Sequence, residues 1–381
     1  MAIDLQILGS KLRRYRDQVE SSLDDVSTAT GIPQQLLKDY EDARREPTGD
    51  EILILADYYK CDYKFFISNE QLAAFEQTET LFRKYSAELS REDRWAILEF
   101  LFLCDSEEFL MRNLSSKNRV PFTFRKSGSY FKTHGIEAAA ALRRHLEYSD
   151  KKVGMDVYDD FRSIGFHVFR RHLANSSISG LCIRHPKAGM CLLVNYTEDV
   201  YRQRFTAAHE AAHAILDDDQ DFVVSFSGEK NDLSEIRANT FASKYLMPPE
   251  FLRQIHQSGQ WDTQKAREWA SKLKVSTEAL AYALKDAKLI SEHQVRTIKA
   301  TKVASDAKVD PELPANLSPR SHQRRAELLS RGLSMHYVEL CFDGYEKGLV
   351  SSGRLSEMLL LSNNELPLVA ELYGRHLLHG D

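Results

Sequence analysis

The chain has 381 residues, 43% hydrophobic and 10% aromatic, enough for cores in two or three domains, and its formal net charge of -5 gives no global attraction to nucleic acid or an acidic membrane surface. No apolar run nears the roughly 20 residues of a membrane span, and the opening MAIDLQILGSKLRRYRD lacks the basic-then-apolar order of a secretory signal. Cys61, Cys104, Cys182, Cys191 and Cys341 are scattered and never spaced C-x-x-C, so they are assigned no metal, and a cytoplasmic setting without a membrane is expected.

Residues 1–70 read as short helices over Ile7–Gln18, Leu23–Thr30, Pro33–Asp42 and Glu51–Lys60. Their apolar positions recur at helical spacing: Leu8, Leu12 and Tyr15, then Leu23 and Val26, then Leu36, Leu37 and Tyr40, then Leu53, Leu55 and Ala56. Gly31 closes the second helix and Pro33 suits the first position of the third, which is a helix-turn-helix layout. The order Leu8-Gly9, Leu12-Arg13, Arg16, then LDDVSTATGIPQQLLKDYEDARREP, resembles the XRE (Cro/C1-type) DNA-binding domain. That resemblance implies a recognition helix opened by Pro33, with Gln34, Gln35 and Lys38 toward the major groove and Arg13, Arg44 and Arg45 placed for phosphates. Two features depart from it. Ala43 stands where the family has a glycine suited to positive φ, and residues 1–70 hold nine Lys and Arg against fourteen Asp and Glu, which predicts weak non-specific phosphate attraction. The alternative for this bundle is a protein-interaction or dimerisation module.

Residues 71–118 read as a helical connector, with Phe82, Tyr85, Leu89, Trp95, Leu98, Leu101, Phe102 and Phe109 spaced for burial. From residue 119 to 300 the pattern is mixed. Helices at Ile136–Glu147 and Asp156–Ile164 precede three short apolar runs, at Phe166–Phe169, Gly180–Ile183 and Met190–Val194, with Gly165, Gly180 and Gly189 as turn or bulge positions. Helices are expected at Val200–Leu216, Leu233–Leu246, Glu250–Gln257, Thr263–Leu273 and Thr277–Asp286. Residues 301–322 carry three prolines and little periodicity, which reads as a linker, and 323–381 as a C-terminal helical domain. Within that tail, Gly344 to Leu366 loosely resembles another helix-turn-helix, with packing or dimerisation as the expected use. The fold class is α+β, mostly helical: an N-terminal bundle, a domain with a small sheet, and a helical C-terminal domain.

The chemistry concentrates in His209-Glu210-Ala211-Ala212-His213. Residues four apart share a helix face, so His209 and His213 can grip one metal ion, while Glu210, about 100° away, can act as general base. Val200–Leu216 is rich in alanine and free of internal glycine and proline, so a helix is realised there and stays slim on several faces. Catalytic zinc sites use three protein ligands and leave one position open. Glu235, in the first turn of the next helix behind Asp232 or Ser234 as cap, is the choice for the third; the other reading of it is an acid at a helix N-terminus. Asn239, one turn on, would accept from the outer N–H of a ligand histidine. Asp217, Asp218, Asp219 and Asp221 are rival ligands that read as a solvated turn, and Tyr196, Tyr201 and Tyr245 are the tyrosines considered for the oxyanion.

RFTAAHEAAHAIL followed by EIRANTFASKYLMP, with CLLVNYTEDVYRQRFTAAHE leading in, closely resembles the ImmA/IrrE zinc metallopeptidases over roughly residues 135–290. The resemblance implies a zincin-like metallopeptidase domain, Zn2+ held by His209, His213 and Glu235, and Glu210 as base. It also implies a site-specific endopeptidase in transcriptional or stress regulation that cleaves a helix-turn-helix repressor. DNA or a partner protein would then be held by the N-terminal domain, and a homodimer is allowed. The rival expectations are a transcription regulator whose peptidase-like domain senses metal or ligand without turnover, and a toxin-antitoxin component.

Overall fold

The computed structural model describes residues 3–69, 76–114, 119–128, 130–149, 152–154, 156–228, 232–256, 260–314 and 316–377. The boundaries expected near 70 and 118, and Gln257 at the end of an expected helix, lie outside them. Two compact units emerge: Met1–Leu110 with Leu173–Asn175 and Cys341–Asp381, and Met111–His172 with Ser176–Leu340.

The first unit opens with α1 (Leu5–Gln18), α2 (Leu23–Thr30), α3 (Gln34–Glu41), α4 (Gly49–Tyr58) and α5 (Tyr63–Ile67), followed by α6 (Glu76–Lys84) and α7 (Arg91–Asn113). Ser22 and Asp25 form a capping box at the start of α2, and Thr48 and Glu51 another at α4, so both starts satisfy backbone N–H groups locally. Gly31 ends α2 in the left-handed region at φ 74°, and Pro33 is the residue before α3 rather than its first turn. Ala43 adopts φ 56°, so the turn after α3 forms in the conformation glycine would favour, at a cost to alanine. A Cβ on Gly9 would meet the Tyr40 and Glu41 carbonyl oxygens at 2.6 and 2.7 Å, so α1 packs directly on the end of α3. The expected apolar face of α4 is only partly buried. Ile52, Leu55 and Ala56 are inside, whereas Leu53 is 52% and Ile54 42% exposed, because a three-turn helix turns only one face inward. Phe109, expected in the core, is likewise exposed.

In the second unit, α8 (Phe131–His145) and α9 (Val157–Ser163) lead to a four-stranded sheet ordered β1-β3-β2-β4, from β1 (His167–Arg171), β2 (Ile178–His185), β3 (Gly189–Asn195) and β4 (Phe222–Phe226). β1 runs parallel to β3, and β2 is antiparallel to both β3 and β4. β4 was not foreseen in the sequence. Between β3 and β4 comes α10 (Val200–Leu216), whose Ala207, Ala208, Ala211 and Ala212 are buried, and after β4 comes α11 (Leu233–Leu246). A Cβ on Gly135 would stand 2.6 Å from the Arg237 carbonyl oxygen, which is how closely α8 and α11 approach. α12 (Pro249–His256), α13 (Thr263–Leu273), α14 (Thr277–Asp286) and α15 (Glu292–Lys299) complete the core, α15 being unforeseen. α16 (Pro319–Ser330) follows, α17 (Met335–Glu346) runs past Leu340, where the second unit ends, and α18 (Ser352–Met358) and α19 (Leu366–Leu372) belong to the first unit.

The stretch read as a linker is pinned by charge. Arg170, 2% exposed, bonds Asp310 and Glu312 at 2.8 Å, and Arg162 bonds Glu312 at 2.8 Å. Prolines announced the lack of regular helix, but not that two acids in the segment would meet arginines buried far away in sequence.

Candidate metal centre

α10 starts at Asp199, whose side chain accepts from the Tyr201 N–H, and its last three turns are enclosed, leaving His209 6%, Glu210 0% and His213 1% exposed. α11 starts at Asp232, bonded to the Ser234 N–H, which sets Glu235 in the first turn. Where the two helices face each other, the His209 and His213 Nε2 atoms lie 3.1 Å apart, and Glu235 places Oε2 3.1 Å from the first and Oε1 3.2 Å from the second. A tetrahedral ion with Zn–N bonds of about 2.0–2.1 Å has ligand–ligand edges of roughly 3.3 Å. The triangle fits.

The outer ring nitrogens are held as well. His209 Nδ1 donates to Asn239 Oδ1 at 3.2 Å, and His213 Nδ1 donates to Asp217 Oδ2 at 2.6 Å. A carboxylate can only accept, so a His213 proton sits on Nδ1, which leaves Nε2 facing the triangle as the atom that would bind an ion. Asp217 is clamped in turn by the Arg237 guanidinium, both side chains being 6% exposed. Asp217, set aside in the sequence as part of a solvated turn, is thus buried against a histidine, whereas Asp218 is exposed and bonds Lys126. The signal was present: His213 and Asp217 are four apart, the same spacing that paired the two histidines.

Burial opposes ionisation of Glu235, but the two imidazoles hold its carboxyl down to about 2. Burial likewise opposes charge on His213, but Asp217 and Glu235 outweigh it and raise the imidazole to about 10. Both shifts say that this spot attracts positive charge, which a divalent cation would supply in place of protons. Glu210 differs. Burial pushes its carboxyl up, and the imidazoles and the nearby Ser225 hydroxyl offset this only in part. Among the described residues neither Glu210 oxygen has a hydrogen bond of ordinary geometry. A buried, unpartnered carboxylate beside the triangle is the second sign that something belongs there. Gly180 makes room for it: a Cβ would stand 2.9 Å from Glu210 Oε1 and 2.8 Å from the Leu193 carbonyl oxygen, at the register shift of β2 against β4.

Residues 161–285 match the family model for the IrrE N-terminal-like domain of the M78 peptidases, and residues 7–63 match that for a helix-turn-helix domain. The chain fuses a helix-turn-helix domain to an IrrE-like peptidase-family domain. None of the curated proteins compared matches it. Within the IrrE-like domain the His209, His213 and Glu235 cluster is the one group among the described residues able to hold a metal ion. A cleft of about 630 Å3 is lined by His209 and Glu235, by Tyr201, Phe205, Phe226 and Tyr282, and by Lys299, Lys302 and Lys308, of which Lys299 is paired with Glu278 and Lys308 with Asp199. Of the tyrosines considered for the oxyanion, Tyr201 lines this cleft, whereas Tyr245 donates to Asp160 inside the core and Tyr196 lies by Arg170.

In the helix-turn-helix domain the expected DNA-facing residues divide. Gln34, Gln35 and Lys38 are exposed on α3, Gln35 bonding Asp39. Arg13 pairs with Asp42 at 2.6 Å and Arg44 with Asp42 at 3.3 Å, so part of their charge is already met, and Arg45 is exposed. No described helix is long and apolar enough to cross a membrane.

Proposed function

We propose that the protein is a zinc-dependent, site-specific endopeptidase acting in transcriptional or stress regulation, with His209, His213 and Glu235 as ligands and Glu210 as general base. The observation that carries the reading is the close donor triangle beside the buried, unpartnered Glu210. The chemistry a bound zinc supplies is polarisation of the scissile carbonyl and acidification of water. Glu210 then takes a proton from the attacking water and hands it to the leaving amine nitrogen. Its raised carboxyl suits both halves of that exchange, since it gives up the proton more readily than a hydroxyl and holds it more tightly than an exposed acid. Asn239 and Asp217 orient the imidazoles. β4 ends the sheet, and its Ser225 and Phe226 line the cleft, which suits an extended polypeptide laid along the strand.

The fused domain supports a regulatory substrate, a helix-turn-helix repressor, with α3 offering Gln34, Gln35 and Lys38 to base edges and Arg13, Arg44 and Arg45 to phosphates. Cys61, Cys104, Cys182, Cys191 and Cys341 form no disulfide among the described residues, which suits the reducing cytoplasm proposed here. Glu210→Gln is the test, because it should keep zinc while hydrolysis falls by about 10²–10⁴-fold. Full cleavage by that variant would remove Glu210 as the base, and a full cellular response without cleavage would leave the sensor reading.

A further inference from the structure

The first unit holds sixteen Lys and Arg against twenty-nine Asp and Glu, a net charge of -13, whereas the second holds thirty-five against twenty-seven, a net of +8. The near-neutral whole conceals this division. On the acidic unit, the end of α2, α4, α7 and α18 together line a groove of about 670 Å3, and none of its described lining comes from α3. Its lining is mixed, with an apolar patch in it: Leu53 and Ile54 lie open on α4, beside Tyr58 and Trp95, whose rings meet edge-on at 5.1 Å. Its rim carries Asp57, Glu99 and Glu357; Asp57 bonds Lys60 at 2.9 Å and Glu357 bonds Arg354 at 2.8 Å, so part of the rim charge is met locally and the net charge of the unit supplies the rest of the attraction.

From this arrangement we propose that the groove docks a cationic amphipathic helix of a partner protein. Two adjacent aliphatic side chains exposed on a three-turn helix form the apolar patch, and two aromatic rings give it a rigid wall of the type that anchors interfaces. The occupant must bring apolar side chains at helical spacing for Leu53, Ile54 and Trp95, and Lys or Arg flanking them for the rim. Charge decides among occupants. A second copy docked through the same face would set one unit of net charge -13 against another, and nucleic acid would meet that same net negative charge. A basic helix is drawn in by the field of the whole unit and then held by apolar contact.

The probe is a fluorescein-labelled amphipathic helical peptide of leucine and lysine, titrated into the full chain by anisotropy, with a leucine and glutamate peptide of the same apolar face as control. The lysine peptide should bind, more weakly as salt rises, and the glutamate peptide should not. Leu53→Gln with Ile54→Gln, both at exposed positions, should weaken binding roughly tenfold. Asp57→Asn with Glu357→Gln should flatten the salt dependence. Failure of the lysine peptide to bind, equal binding of the glutamate peptide, or undiminished binding to the Leu53/Ile54 variant would overturn the proposal. So would a dimer of the wild-type chain in sedimentation that this variant dissociates, since that gives the groove to a second copy.

Discussion

Asp217 offers the sharpest test of how the centre is built. Asp217→Ala removes the acceptor of the His213 Nδ1 proton, made at 2.6 Å to a fully buried ring, and strips the Arg237 guanidinium of its carboxylate. Loss of an outer partner of a metal-bound histidine weakens metal binding about 10–100-fold, or roughly 1.4–2.7 kcal/mol. The uncompensated buried guanidinium costs a further ~3–5 kcal/mol of folding stability. Asp217→Asn keeps an acceptor and loses only the charge, so about tenfold weaker binding is expected, at the low end of that range. Asp217→Leu with Arg237→Met removes both charges and should recover most of the stability while zinc affinity stays low, which separates positioning from folding. Zinc affinity would be read by competition with a chromophoric chelator, and stability by urea unfolding of the same samples. A folded Asp217→Ala protein that binds zinc within a factor of two of wild type would refute the argument.

Ala43→Gly should stabilise the first unit by about 0.5–1 kcal/mol, since relief at φ 56° exceeds the added freedom of the unfolded chain; a loss of stability in urea would contradict this. Gly180→Ala should cost ~1–3 kcal/mol and depress hydrolysis, because the new methyl meets Glu210 and the Leu193 carbonyl; a variant of full activity and stability would show the space to be spare. Glu312→Gln should destabilise the second unit by ~3–5 kcal/mol at neutral pH. Burial raises the Glu312 carboxyl, but Arg162 and Arg170 hold it below its ordinary value, so its contribution is present above the unfolded value of about 4.3 and fades as pH falls through the folded one. Urea unfolding from neutral to acid pH should therefore show wild type and variant converging, and parallel curves would rule this out.

The helices around the site were legible because their stops were. Asp232, Asp262 and Ser276 each cap a backbone N–H, and α11, α13 and α14 run over the residues expected of them. The His209–His213 pair was legible from its spacing, and Glu235 from its place in the first turn of the next helix. β4 was hidden behind four acids that read as a solvated turn, and the burial of one of them depends on Arg237, which no local pattern connects to it. Asp310 and Glu312 were opaque for the same reason: their partners lie some 140 residues away. Leu53 erred in the other direction, counted inside because it is apolar, although its neighbours in the helix already fill the core.

On α11, Glu235 supplies a donor to the triangle, Arg237 steadies Asp217 behind one histidine, and Asn239 steadies the other. These three side chains fall within five residues of one rigid rod, so they cannot let go one at a time. The donor and the supports of both imidazoles therefore share one helix, and the shape of the triangle depends on how that helix is seated against α10.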